Sequence, residues 1–150
     1  HFPNAKLCIV GRNTANFQRK LELFVQKENL QRSIYFFGER RDTPEILKAF
    51  DIFIFPSLTV GLGISLLEAM YMGLPAIASD VEGILEIIEN NKSGILVPAG
   101  DYKVLASEIL MLLENKDKMQ RLGQNARKRI EKYFSPKAYI EELELLYNAS

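Results

Sequence analysis

The sequence predicts an α/β chain built on a doubly wound parallel sheet and ending in helices alone. Five short runs rich in β-branched and aromatic residues, at 6–11, 34–38, 52–57, 75–79 and 94–98, read as strands, because each is too short for a globular helix. They are nearly continuous in apolar character, as strands covered on both faces require. Between them apolar residues return at helical spacing, and strand alternating with helix implies crossover connections and a parallel sheet.

Taken in order, the first run holds Cys8, best read as a small core hydrophobe rather than a reactive thiol. Phe17, Leu21, Phe24 and Val25 mark the first helix. The second run ends at Gly38, with Arg40 and Arg41 just beyond it. In open parallel sheets ligands bind past the carboxyl ends of strands, so both arginines are candidates, with ordinary solvated side chains as the plainer alternative. The third run leads through residues 58–63 into a helix marked by Leu66, Leu67, Met70 and Tyr71. After the fourth run, Asp80-Val81-Glu82-Gly83 reads as a helix-capping turn, or alternatively as a place where backbone amides meet a ligand. Ile84, Leu85 and Ile88 mark the helix that follows, and Asn90-Asn91-Lys92-Ser93-Gly94 reads as a turn. Beyond the last run only helices are expected, starting at Asp101 and at Ser135, where Pro136 suits a first turn. Leu143, Leu146 and Tyr147 would give the final helix an apolar stripe, to pack on its own domain or on a partner domain.

A chain of 150 residues, 47% hydrophobic and 25% charged, has the length and balance of one globular domain. Nineteen basic and nineteen acidic residues cancel, so no long-range field gathers nucleic acid or holds the chain on anionic lipid. Cys8 has no partner for a disulfide, and with Cys8 inside an apolar run and the one histidine, His1, at the terminus, metal clusters and Cys-His or Ser-His catalysis are nearly excluded. No apolar stretch approaches the ~18 residues of a membrane span, and the signal-peptide layout is missing. The expected setting is cytoplasmic. The abrupt opening on His1-Phe2-Pro3 leads us to expect a preceding segment.

The most unusual rim loop is the one after the third run, where Gly61 and Gly63 stand immediately ahead of a helical pattern. Glycines there let the backbone approach a ligand closely, and the free amides of a helix start favour a phosphate. A tight strand-to-helix turn needs the same residues for steric reasons, so the pattern alone leaves both readings open. Glu68 falls outside the arc shared by Leu66, Leu67, Met70 and Tyr71, nearer the side carrying Ser65. It is placed either to accept hydrogen bonds from sugar hydroxyls or merely to complement the helix dipole.

Pro56-Ser57 through Gly63, followed by Leu67-Glu68-Ala69-Met70-Tyr71-Met72-Gly73-Leu74-Pro75, resemble the central motif of family 4 glycosyltransferases, which have the GT-B fold. The similarity extends upstream over Ile34-Tyr35-Phe36-Phe37-Gly38 and residues 47–56. Downstream it continues through Ala76-Ile77-Ala78-Ser79-Asp80, the strand ending at Pro98, Gly100-Asp101 and the stretch from Arg121-Leu122-Gly123 to Phe134-Ser135.

The resemblance implies a Rossmann-like C-terminal domain that holds the nucleotide-diphosphate sugar, its substrate, while a separate N-terminal domain supplies most of the acceptor site. It implies that Glu68 binds the ribose hydroxyls, and that Gly61, Leu62, Gly63, Ile64 and Ser65 approach the phosphates or donor sugar, with Gly38 and Arg40 as further rim candidates. It also implies transfer with retention and without a bound metal or other cofactor, as part of polysaccharide or glycoconjugate synthesis. Two departures stand out. Val60 occupies the position where the family usually carries a second glutamate, which raises the alternative of a non-catalytic relative kept for nucleotide binding or partner assembly. The family's basic pair, on the domain's first strand and helix, would lie upstream of residue 1. The fragment is therefore expected to lack that strand and helix together with the acceptor domain, and to be inactive alone. Peripheral membrane association, through the absent domain, is left open.

Overall fold

The computed structural model describes residues 2–12, 15–59 and 61–135. Its elements run β1 (Leu7–Val10), α1 (Ala15–Lys27), β2 (Ile34–Gly38), α2 (Thr43–Leu47), β3 (Phe53–Phe55), α3 (Ile64–Tyr71), β4 (Ala76–Ser79), α4 (Ile84–Ile87), β5 (Ile95–Val97), α5 (Tyr102–Glu114) and α6 (Lys116–Tyr133). Each of the five apolar runs has become a strand, and every pairing is parallel. Where length suggested one compact unit, the chain divides into two, residues 1–43 and residues 44–150, each with its own ladder.

In the first unit β1 pairs with β2, setting Leu7 opposite Ile34 and shifting register between Ile9 and Val10. Beyond the ladder the Gly11 amide donates to the Gly38 carbonyl at 2.8 Å. Cys8 is half-buried within β1.

The second unit explains the continuous apolar strands. Its order is β3-β4-β5, and the central strand β4 is buried along its whole length. Ala76 and Ala78 belong to a core with Leu66 and Met70 of α3, Ile84 and Ile87 of α4, and Ala126 and Ile130 of α6. Ile77, between them, belongs to another core with Ile95, Val97, Leu112 of α5 and Leu122 of α6. Successive side chains of a strand point to opposite faces, so both faces are covered and the sheet is doubly wound.

The end of α3 is fixed by its sequence. Gly73 takes φ 80°, the Leu74 amide donates to the Ala69 carbonyl, and the Gly73 amide donates to the Met70 carbonyl. This is the Schellman arrangement, which favours glycine at that left-handed position. Pro75 then leads into β4. Against this turn lies Gly123 of α6, so close that a Cβ there would stand 2.1 Å from the Gly73 carbonyl oxygen.

Two helices differ from the sequence expectations. α2 is only five residues long, too short to show a period, and it buries Leu47 with Ala69 and Leu74. α5 starts at Asp101 as expected, its Oδ1 accepting from the Lys103 and Val104 amides at 3.0 Å. A new start follows at Asn115, whose Oδ1 accepts from the Lys118 amide at 2.9 Å. Its signal is weak because half of the α6 residues are charged. The helix expected to follow Ser135, with Leu143, Leu146 and Tyr147, lies outside the described residues. Among the described residues no helix is long and apolar enough to cross a membrane.

Candidate functional site

Parallel strands deliver their exit loops to one end of the sheet. In the second unit these are the loops after β3, β4 and β5, and specific contacts gather them. Asp80, at the exit of β4, accepts from the Ala99 amide, beyond β5, at 3.1 Å. Leu58, in the loop after β3, lies against Gly100, where a Cβ would stand 3.7 Å from its Cδ2. Asp80 therefore ties two exit loops together instead of capping α4, which begins at Gly83 with φ 86° and no side-chain cap. The expected capping turn is corrected accordingly: the Asp80 carboxylate finds the neighbouring loop's amide first.

The two glycines before α3 divide the steric reading from the functional one. Gly63 is the N-cap of α3, buried, with φ 57° and ψ 34°. That left-handed conformation by itself accounts for a glycine. Its carbonyl accepts from the Leu66 and Leu67 amides at 2.9 and 3.1 Å. Gly61 is different: among the described residues a Cβ built on it would meet nothing within 4 Å. Crowding by the described residues does not demand a glycine there.

No side chain caps α3, and among the described residues the Ile64 and Ser65 amides have no hydrogen-bond partner. A helix start left in this way carries partial positive charge. Leu62 is 78% exposed and Leu58 68%, with Ile64 and Tyr102 also largely in water. Large apolar side chains grouped at a rim mark a surface that a ligand or partner covers.

Glu68 is exposed, and among the described residues its carboxylate has no hydrogen bond or ion pair. The first turn of α3 contains no acidic residue, so Glu68 stands beyond it. Dipole complementation fades past the first turn, which weakens that explanation of the residue. Helical side chains lean towards the N-terminus, so the carboxylate covers the turn holding Ile64 and Ser65.

Gly38 and Arg40 belong to the other unit. Gly38 adopts φ 65°, which accounts for its identity. Arg40 is held in a two-pronged pair by Asp42, at 2.8 Å through Nε and 2.6 Å through Nη2. That hydrogen bond raises the Arg40 pKa and holds the Asp42 carboxyl below its ordinary range. Arg12 is similarly paired with Glu39. Sequence reasoning missed both pairs, although a carboxylate two residues after Arg40 was a visible signal. Val60 lies outside the described residues. Among the described residues no group of three His, Cys, Asp or Glu side chains could hold a metal ion.

The profile of the family described as "Glycosyl transferases group 1" matches residues 1–129. This chain belongs to that family. Among curated relatives of this group 1 chain, the capsular polysaccharide biosynthesis glycosyltransferase CapM of Staphylococcus aureus is 35% identical over 98 residues, 65% of this chain and 26% of CapM. The UDP-Gal:alpha-D-GlcNAc-diphosphoundecaprenol alpha-1,3-galactosyltransferase of Escherichia coli is 30% identical over 146 residues, 97% of this chain and 37% of the relative. The group 1 chain thus spans well under half the length of these proteins. Among solved structures, a TarM variant from S. aureus in complex with fondaparinux, alpha-GlcNAc-glycerol and UDP superposes with a TM-score of 0.85 at 28% identity, covering 95% of this chain and 29% of TarM. The parallel α/β architecture is that of GT-B glycosyltransferases.

Proposed function

We propose that this chain is the donor-binding part of a glycosyltransferase that uses a nucleotide-diphosphate sugar, in polysaccharide or glycoconjugate assembly. The observation that carries the proposal is Gly61: a glycine with open space before it, directly ahead of a helix whose Ile64 and Ser65 amides are bare. In this arrangement the diphosphate lies over the loop, where only the lack of a side chain lets it reach the amides. Glu68, one turn on, accepts from the ribose hydroxyls.

The chemistry follows from charge. As the bond between the anomeric carbon and the diphosphate oxygen breaks, negative charge grows on the departing diphosphate and positive charge on the sugar. Fixed amides stabilise the departing charge without reorganising. The acceptor oxygen bonds the anomeric carbon on the face the diphosphate leaves, its proton is released, and configuration is retained. No metal is assigned a role. Arg40 is engaged by Asp42 through Nε and Nη2, so a phosphate would meet only its remaining N–H groups or compete with that carboxylate. The proposal therefore rests on residues of the second unit. TarM has been solved with UDP and the E. coli relative is named for UDP-Gal, so UDP-sugars head the list of donors.

Calorimetric titration of the full-length protein with nucleotide sugars tests this directly. Binding to one or more of them is expected, and no binding to any would remove the proposal. Val60 favours one second reading, a binding protein without turnover, since valine can neither accept a hydrogen bond from the donor sugar nor stabilise its positive charge. Turnover by the full-length protein would exclude that reading, and a gain on Val60→Glu would measure what the valine costs.

A further inference from the structure

At the opposite end of the second unit's sheet, where β5 begins, the turn after α4 and the last turns of α6 form an open cavity of about 210 Å³. Four cations line it, Lys92, Lys128, Arg129 and Lys132, against one carboxylate, Glu89. That carboxylate is already shared: Lys92 Nζ is 2.7 Å from one oxygen and Arg129 Nη1 is 3.7 Å from the other. Arg129 is held rigidly, donating through Nε to the Ile87 carbonyl at 2.7 Å and through Nη2 to the Glu86 carbonyl at 2.8 Å. Its charge is therefore fixed on the wall.

Lys128 and Lys132 stand four residues apart on α6, and among the described residues neither has a carboxylate partner. Like charges at that spacing weaken a helix. Arg127 and Glu131, one residue removed, show the favourable alternative, an ion pair of 2.8 Å at the same spacing. The repulsive pair faces the cavity, where Lys92 and Arg129 add to it, while the chain as a whole is neutral. Excess positive charge confined to a concave surface lowers the energy of an anion placed there. Lys132 also rests over the Tyr133 ring, 4.8 Å from its centroid, and Arg129 lies 5.4 Å from the same centroid.

We propose that this cavity is a second, anion-binding site that takes a phosphate group, carried either by a soluble phosphate or by a lipid headgroup. It is remote from the glycine loop and does not depend on the donor site assigned above. On the full-length protein, inorganic phosphate is titrated by NMR and vesicles of phosphatidylglycerol or of phosphatidylcholine are used in co-sedimentation. Phosphate-induced shifts around Lys128 and Lys132 identify a soluble ligand. Sedimentation with phosphatidylglycerol but not phosphatidylcholine identifies a lipid headgroup. Either response should fall about tenfold or more in Lys128→Glu/Lys132→Glu, at ~1 kcal/mol per basic residue near an anionic surface. It should persist in Lys116→Glu/Arg121→Glu, which changes the charge of the same helix outside the cavity. Equal loss in both double variants would reduce the effect to general charge and overturn the site, as would the absence of any response to phosphate and vesicles alike. Nucleotide-sugar binding, measured in parallel, should be unchanged, which separates failure here from failure of the donor site.

Discussion

The two ends of α3 contrast sharply. At its C-terminal end the backbone groups are paired, Gly73 completes a Schellman turn, and Gly123 is packed against that turn's carbonyl. At its N-terminal end two amides are bare, no side chain caps the helix, and Gly61 faces open space. Both ends carry glycines from the same family motif; left-handed backbone accounts for Gly73 and Gly63, whereas no described neighbour crowds Gly61. A residue that folding requires shows its reason inside the structure, as Gly73, Gly123 and Gly63 do. Gly61 and Glu68 show none among the described residues, which is why the proposed donor site is built on them.

Substitutions sharpen this contrast. The largest effect on stability is expected at the closed end: Gly123→Ala would drive a Cβ into the Gly73 carbonyl. Backbone cannot step aside as a side chain can, so a loss of about 2–4 kcal/mol is expected, read as a fall in Tm on the order of 10 °C. An unchanged Tm would show that the two turns are not in contact.

At the open end the largest effect should be on binding. Glu68→Ala removes hydrogen bonds between a carboxylate and ribose hydroxyls, worth about 1.5–3 kcal/mol, so affinity for the nucleotide sugar should drop roughly 10- to 100-fold. Calorimetry on the full-length protein checks this, with Tm moving little, as for other surface changes. A large fall in Tm with affinity intact would reverse the assignment and make Glu68 structural. Gly61→Ala should leave stability within about 0.5 kcal/mol, since its methyl group meets no neighbour among the described residues. Its nucleotide-sugar affinity should still fall about tenfold, because the methyl group holds the phosphates off the amides.

The smallest effect concerns a cap. Asp101→Ala deprives the Lys103 and Val104 amides of their acceptor and should cost about 1 kcal/mol, seen as a shift in the midpoint of urea unfolding with an unchanged slope. Donor binding should not respond to it, and a response would mean that the start of α5 belongs to the site.

Much of this contrast was legible beforehand. Short runs rich in β-branched and aromatic residues located all five strands, although burial on both faces holds for β4 and not for β1 and β2, which are half exposed. Asp101 declares itself because a capping residue acts locally. In the second unit, spacing placed two glycines before a helix and a glutamate one turn later, but left their structural and ligand-binding readings open. What stayed hidden depends on distant contacts or competing partners. Nothing near Gly123 in sequence reveals Gly73, fifty residues earlier, pressed against it. Asp80 looked like a cap until the Ala99 amide was placed beside it. Arg40 looked unpartnered until Asp42 engaged its Nε and Nη2. The start of α6 at Asn115 was obscured by the helix's many charged residues.

One measurement tests the central claim most directly. Backbone amide shifts of the full-length protein are followed by NMR as a nucleotide-diphosphate sugar is added. The amides of Gly61, Ile64 and Ser65 should move most, while those of Gly73 and Gly123 stay in place. Saturating shifts elsewhere, with residues 61–65 unmoved, would contradict the assignment of the open end of α3 as the donor site.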